Sequence, residues 1–563
     1  MILPRITQNS ISHRKYNKLA VAVQTSILSL NIVANANAAT IEVDNTDEIS
    51  FCELVPLAPG DSCIVPPVCQ LREAIFILQN EATAAPLGGT GCFVNGVFGD
   101  NDTITFVPGI GQFTLIEGPI DITKDIIIDG SGVGGVTIST NQALSLFEIE
   151  DSSVTFNHLT LTGVGPQNSA VDVSNSTLTI NSSVLTGNTA ITGAGVKAIE
   201  SSLIVNDSDF NNNRAQTGAA IRATNSTVTI QRSSFSQNQA ITGSLSGTGG
   251  AIHIDGGSLV LDESTLLDNT AGFGGAMTLL DAQTTISNST ISENNVNQRG
   301  GAISISNQPN NPLNASFEMI ASTVNANTAT NASSPVSASG GAIAASTGSA
   351  GMSISIVAST LSNNDASRGG AIDARDVELT ITNSTLSGNS AILNDGGAIN
   401  MTSGAITLSN TTITENSAAT RGGGVLLGFQ LISNFYNSLF ANNSNNDCEI
   451  ASTTFDLNAD SFNIIQNDAC NTDARNLDPL LGPLADNGGA TLTHGLLPNS
   501  PARNTGILAS CEIEDQRGQI RNDGDNLCDV GAVEFNPNDD FGEPDESFYV
   551  IPLADGKVIV IPL

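Results

Sequence analysis

Apolar and polar positions alternate in short runs along most of this chain, as in "STVTI" at 226–230 and "VELTI" at 377–381. A period of two puts the apolar residues on one side of a strand and the polar ones on the other. Each run leads into a Ser-bearing turn ("SxS" or "NST"), then an apolar-x-x-Asn step, then a Gly-Gly or Gly-Ala pair before the next run. The first Gly of each pair falls at 193, 218, 249, 274, 300, 340, 369, 396 and 422. The intervals of 25, 31, 25, 26, 40, 29, 27 and 26 residues have a floor with occasional excess. That pattern describes a fixed unit carrying loop insertions. The recurring asparagines are Asn188, Asn213, Asn238, Asn269, Asn294, Asn327, Asn364, Asn389 and Asn416.

One coil of about 25 residues cannot bury its apolar side alone, but coils stacked in register, rising about 4.8 Å each, can. The expected fold is all-β: a single-stranded parallel β-helix, a right-handed β-solenoid, with a short N-terminal capping helix. The Gly pairs are expected at corners that need positive φ. The nine asparagines are expected to form a ladder, tolerating the left-handed region and bonding to their counterparts in the coils on either side. Both features are scaffold. In "LREAIFILQ", Leu71, Ala74, Ile75 and Leu78 stand at helical spacing, which suits a helix closing the open apolar end of a solenoid. Arg72 and Glu73 are expected on its polar face.

At the N-terminus, Arg14, Lys15 and Lys18 precede the apolar run "LAVAVQTSILSLNIVA" and an A-x-A site at Ala36-Asn37-Ala38. Residues 1–38 are therefore expected to be a cleaved signal peptide, giving a secreted or cell-surface protein. Their loss removes four basic residues (Arg5 and the three above), moving the formal charge from −36 to −40. A surface this acidic repels DNA, RNA and anionic membranes. The tail "FYVIPLADGKVIVIPL" is too short and interrupted to span a bilayer as a helix, so no membrane-spanning segment is expected in the mature chain.

The eight Cys fall in two terminal groups: Cys52, Cys63, Cys69 and Cys92, then Cys448, Cys470, Cys511 and Cys528. An even count in an exported chain suggests disulfides, and close C-x₂₋₄-C pairs that would suit zinc are absent. Solenoid ends lie far apart, so pairing is expected within each group, as Cys448–Cys470 and Cys511–Cys528 at the C-terminal end.

Several segments resemble known families. The apolar-x-x-Asn steps "FNNN" (210–213) and "FSQN" (235–238), followed by "GGAI", resemble repeats of chlamydial polymorphic outer-membrane proteins. "CQLREAIFILQNEA" (69–82) resembles the CSLREA domain of exported bacterial proteins, with Gln70 in place of the usual Ser. "DPLLGPLADNGGATLTHGLLPNSPARNTG" (478–506), "DQRG" (515–518) and "CDVGAVEF" (528–535) resemble the choice-of-anchor Q domain. These resemblances imply a secreted or surface β-helix and no particular reaction. The expected organisation is a signal peptide (1–38), a disulfide-rich CSLREA-like cap (39–102), β-helix repeats (103–447), C-terminal coils resembling choice-of-anchor Q (448–535), and an acidic linker and tail (536–563). The solenoid is expected to be continuous from 103 to 535.

The expected role is non-catalytic, in adhesion or envelope architecture, with surface glycans or other envelope proteins as partners. The alternative is a polysaccharide lyase or glycoside hydrolase, since those enzymes share the scaffold and fold alone decides nothing. Against it, the mature chain keeps only Lys124, Lys197 and Lys557, and His158, His253 and His494, with no Trp and two Tyr, Tyr436 and Tyr549, to hold sugars. Asp523, Asp525, Asp529 and Glu534 fit positions 1, 3, 7 and 12 of a calcium loop, but Leu527 and Cys528 occupy positions 5 and 6. This is read as a turn ending the last coil. No cofactor is expected, calcium being the only ion the loop suggests. The residue after each "GGAI" step runs Lys197, Arg222, His253, Thr278, Ser304, Ala344, Asp373, Asn400, Leu426. Strand alternation points this column outward, so Lys197, Arg222 and His253 would stack as a basic stripe able to take an anionic glycan, if they are more than solvated surface.

Overall fold

The structure, a computed structural model, describes residues 38–46, 69–81, 92–241, 247–308, 315–331, 338–347, 351–429, 431–451, 456–459, 461–521 and 527–536, and the backbone of 548–552 and 558–562. Its strands wind into a parallel β-solenoid of about 13 turns. Each full coil contributes a strand after the Gly corner, a second strand, a third beyond a Ser-bearing corner, and in the middle coils a two- to five-residue strand before the next Gly corner. The first two strand columns join into a 28-stranded sheet, the third forms a 14-stranded sheet, and the last an 8-stranded sheet.

The register shows why the repeat folds this way. Val196, Ile221, Ile252, Met277, Ile303, Ile343, Ile372, Ile399 and Val425 stand in one inward file, each paired with its counterpart on the next rung. The apolar position of each apolar-x-x-Asn step forms another file through Leu185, Phe210, Phe235, Leu266 and Ile291. The Phe210 and Phe235 rings stack at 4.9 Å. These files merge in one core running the length of the rod. A one-residue slip would turn every apolar side chain to water, so register is strongly held.

The first rung lies upstream of the expected start: Thr40–Val43 pairs in parallel with Asp102–Phe106. Over this end lies the one α-helix among the described residues, α1 (Leu71–Asn80). Leu71, Ala74, Ile75 and Leu78 are buried and join the core, covering the end of the stack. Arg72 donates to the carbonyls of Gly118 and Pro119. Glu73 departs from the polar-face expectation. It is buried, and burial pushes its carboxyl above the ordinary range.

Coil stacking does not continue to residue 535. The last rungs are Cys448–Ile450, Asp456–Ala459, Ile464–Ile465 and Asp468–Ala469. From about residue 478 the chain turns back and runs along the outside of the 14-stranded sheet. Leu492 O accepts from Thr360 Oγ1, Gln516 Oε1 from Thr385 Oγ1, and Ala532 N–H donates to Thr412 Oγ1. Asn437 exchanges two hydrogen bonds with the Ile507 backbone. The physical reason lies in the outward residues of this sheet. Leu439 and Ile464 would expose apolar surface, and here they pack with Leu496, Ala502 and Val530. Cys69–Cys92, Cys448–Cys470 and Cys511–Cys528 are bonded, with Cα atoms 4.4, 5.5 and 6.6 Å apart, each within its terminal group. Cys52 and Cys63 lie outside the described residues, as do residues 1–37 of the expected signal peptide (1–38) and the side chains of the tail. No helix among the described residues is long and apolar enough to cross a membrane.

Candidate functional site

The recurring asparagines line one corner, fully buried or nearly so. From Asn213 onward each Oδ1 accepts two hydrogen bonds from the coil before it, whereas Asn188 Oδ1 accepts one, from Val164 N–H. Asn389 Oδ1, for example, takes the backbone N–H and the Nδ2 of Asn364 at 3.0 and 2.9 Å. Asn389 Nδ2 in turn donates to Leu361 O and to Asn416 Oδ1, both at 2.9 Å. The file continues past Asn416 to Asn443 and closes on the Asp447 carboxylate. The asparagines themselves do not have positive φ. The residue before each does, as at Asn212, Gln237, Asp268, Glu293 and Ala326. The ladder Asn thus satisfies the corner's backbone rather than forming its left-handed turn.

A second file was not read from the sequence. Ser183, Ser208, Ser233, Ser264, Ser289 and Ser322 each accept on Oγ the backbone N–H of the residue one rung earlier, beginning with Leu159. Its signal was a Ser two residues beyond the end of each preceding strand, which passes for turn composition. Replacing Asn389 by Ala should destabilise the rod by about 3 kcal/mol, because the Asn364 N–H and Nδ2 lose their shared acceptor and Leu361 O and Asn416 Oδ1 each lose a donor. Denaturant melts of the variant against the parent check this, and an unchanged midpoint would remove the ladder from the energetics.

Lys197, Arg222 and His253 stack on successive rungs as expected, but not as a free basic stripe. Its column begins with Asp121, Glu148 and Asp172, and Lys197 and Arg222 follow on the next rungs. Lys197 pairs with Asp172 at 3.3 Å and Arg222 with Asp255 at 3.2 Å. Burial and the neighbouring Asp121 and Asp172 push Glu148 above its ordinary range. His253 is only 7% exposed and holds Thr248 Oγ1 at 3.1 Å. The Gly corner just before it folds over the column, which sequence alternation alone does not reveal. Burial, then Arg222, pulls the imidazole down to about 3. It is neutral at pH 7 and adds no charge.

Folded His253 thus titrates below its unfolded value near 6.5, so its contribution is complete above about pH 6.5 and is lost as pH falls toward about 3. At pH 4 the loss should be about 3 kcal/mol. His253→Gln should show that much less acid sensitivity in melts at pH 7 and 4. Equal pH dependence in variant and parent would contradict the buried neutral ring.

Farther along the same face lies a concave groove of ≈ 580 Å³. Its floor is Ser304, Ser306, Ala344 and Ser346, where the outward column is short, and Arg299, Arg368 and Arg375 border it with Asp373 and Asp376. Arg368 holds both oxygens of Asp373, at 3.0 and 2.9 Å, and Asn400 Nδ2 also donates there. Arg375 faces Asp376 at 3.3 Å, with Ser403 Oγ as a second donor to it. The exposed Arg299 guanidinium meets no carboxylate among the described residues. Arg299 and Arg368 sit directly before Gly pairs, in "QRGGAI" and "SRGGAI", a repeated placement that the sequence reading passed over. No His or Lys lines this groove.

Elsewhere, carboxylates do structural work. Asp523 and Asp525 lie outside the described residues. Asp529 accepts the N–H groups of Asn504 and Phe535, and Glu534 accepts that of Asp529. Glu534 also faces the buried Arg521 at 3.4 Å. Asp468 stands near Cys448 and Cys470, but those sulfurs form a disulfide and are not thiolates. His494 is buried between Ser387 Oγ and Gly482 O, both at 2.8 Å.

No family model matches the chain, and no curated protein matches its sequence.

Proposed function

We propose that this protein is an exported, cell-surface β-helix that works by binding, in adhesion or envelope architecture, rather than by catalysis. The observation that carries this reading is the groove at Ser304 and Ala344. It collects arginines on an otherwise acidic rod, yet its carboxylates are engaged by arginine, Asn400 and Ser403, and neither His nor Lys lines it. A lyase needs a base there and a hydrolase needs a proton donor opposite a second free carboxylate. The within-group disulfides suit an oxidising compartment. The resemblance of 69–82 to the CSLREA domain and of 478–535 to choice-of-anchor Q supports surface placement. The test pairs two assays on the purified chain: adhesion to whole cells, and product release from acidic and neutral polysaccharides. Adhesion without new chain ends is expected. Turnover above that of heat-denatured protein would overturn the reading in favour of the enzyme alternative.

A further inference from the structure

We propose that the groove floored by Ser304, Ala344 and Ser346 binds an acidic oligosaccharide laid along the rod and anchored by Arg299. This rests on the binding role above and gives it a ligand class.

The chain carries 19 Lys and Arg against 55 Asp and Glu, so three arginines lining one groove are unusual on this surface. Arg368 and Arg375 are matched by Asp373 and Asp376, which leaves the exposed Arg299 uncompensated and the groove net positive. A guanidinium offers a planar fork of donors suited to carboxylate or sulfate. Low-dielectric walls around it concentrate an anion that the rest of the surface repels.

Shape and hydrogen-bonding capacity then select a sugar. Thr278, Ser304, Ala344 and Asp373 occupy consecutive rungs, so the depression is two short side chains long and closed at one end by Asp373. Arg299, Ser339 and Arg368 follow the same rungs along the rim, placing the two arginines about 10 Å apart. A chain running along the rod therefore meets a regular series of polar positions. Phe273, half-buried at the other end, offers a ring on which a sugar face can rest. The floor hydroxyls of Ser304, Ser306 and Ser346 can both donate to and accept from sugar hydroxyls, whereas an ionised carboxylate or sulfate group only accepts.

The experiment is calorimetric titration of the full chain with oligogalacturonate, a heparin-derived oligosaccharide, a neutral cello-oligosaccharide and oligoglutamate. An acidic sugar should bind, more weakly as salt is raised, and whichever acid is preferred names carboxylate or sulfate as the recognised group. Arg299→Ala, an exposed change, should weaken binding at least about tenfold. Ala344→Trp keeps every charge but fills the floor and should abolish it, in protein that melts like the parent. Lys197→Ala, off the groove, should change nothing. Oligoglutamate binding as tightly as the sugars would overturn the proposal, since charge alone would then suffice. So would no acidic sugar binding at millimolar concentration. Sugar binding indifferent to Arg299→Ala would overturn the site while leaving the adhesive reading standing; failure of the parent chain to adhere to cells would bring down both.

Discussion

Arg521→Met should release residues 478–535 from the side of the rod while leaving the coils wound. Arg521 is fully buried and donates to Gly531 O at 2.8 Å, to Asn383 Oδ1 at 2.9 Å and to Glu534 Oε2 at 3.4 Å. It therefore ties the returning segment to itself and to the corner residue Asn383. Asp515, Asp529 and Glu534 surround it, and burial with Asp529 pushes Glu534 up to about 8. Methionine fills much of the space but leaves these acids without their cation. Removing one partner from such a buried set costs about 3–5 kcal/mol. Hydrogen exchange should show lost protection at Gln516 and His494 and retained protection along the Asn ladder. Unchanged protection of 478–535 would mean that the apolar contacts at Leu439 and Ile464 hold the segment alone.

Gly218→Val should be among the most damaging single changes within the coils. Gly218 has φ +55, and a Cβ there would lie 2.2 Å from Ile221 O and 3.0 Å from the His253 Cβ of the next coil. All nine first glycines of the pairs share positive φ. The second position is less restricted by conformation, since Ala194 and Ala219 occupy it in two coils. A β-branched residue adds left-handed strain to direct overlap with the backbone, together more than about 4 kcal/mol. Loss of soluble protein, or a collapsed melting transition, is the expected outcome. A penalty under about 1 kcal/mol would show that the corner can be rebuilt without glycine.

These two sites differ in how far a sequence reader could find them. The Gly corner, the Asn file and the helix at Leu71–Asn80 are local patterns whose spacing carries their meaning, and each stands where its period places it. The Ser file was hidden because serine is common in every turn, and only the fold distinguishes a hydroxyl that accepts from the next rung. The return of residues 478–535 was hidden for another reason. It depends on which outward residues of Thr360–Ser362 and its neighbours lack water, a property of the assembled sheet. His253 looked cationic by alternation and became neutral through a corner folding over it. Arg299 precedes a Gly pair as Arg368 does, but its lack of a carboxylate partner becomes visible only when the rungs are stacked.

A stack of coils joined only to nearest neighbours frays from its end like a loosened spring, one turn after another. Here the returning segment is stitched to Thr360, Thr385, Thr412 and Asn437, on four successive rungs. It acts as a lashing across the terminal turns, so a load applied there is shared by four coils at once and the rod yields in a block rather than by unwinding.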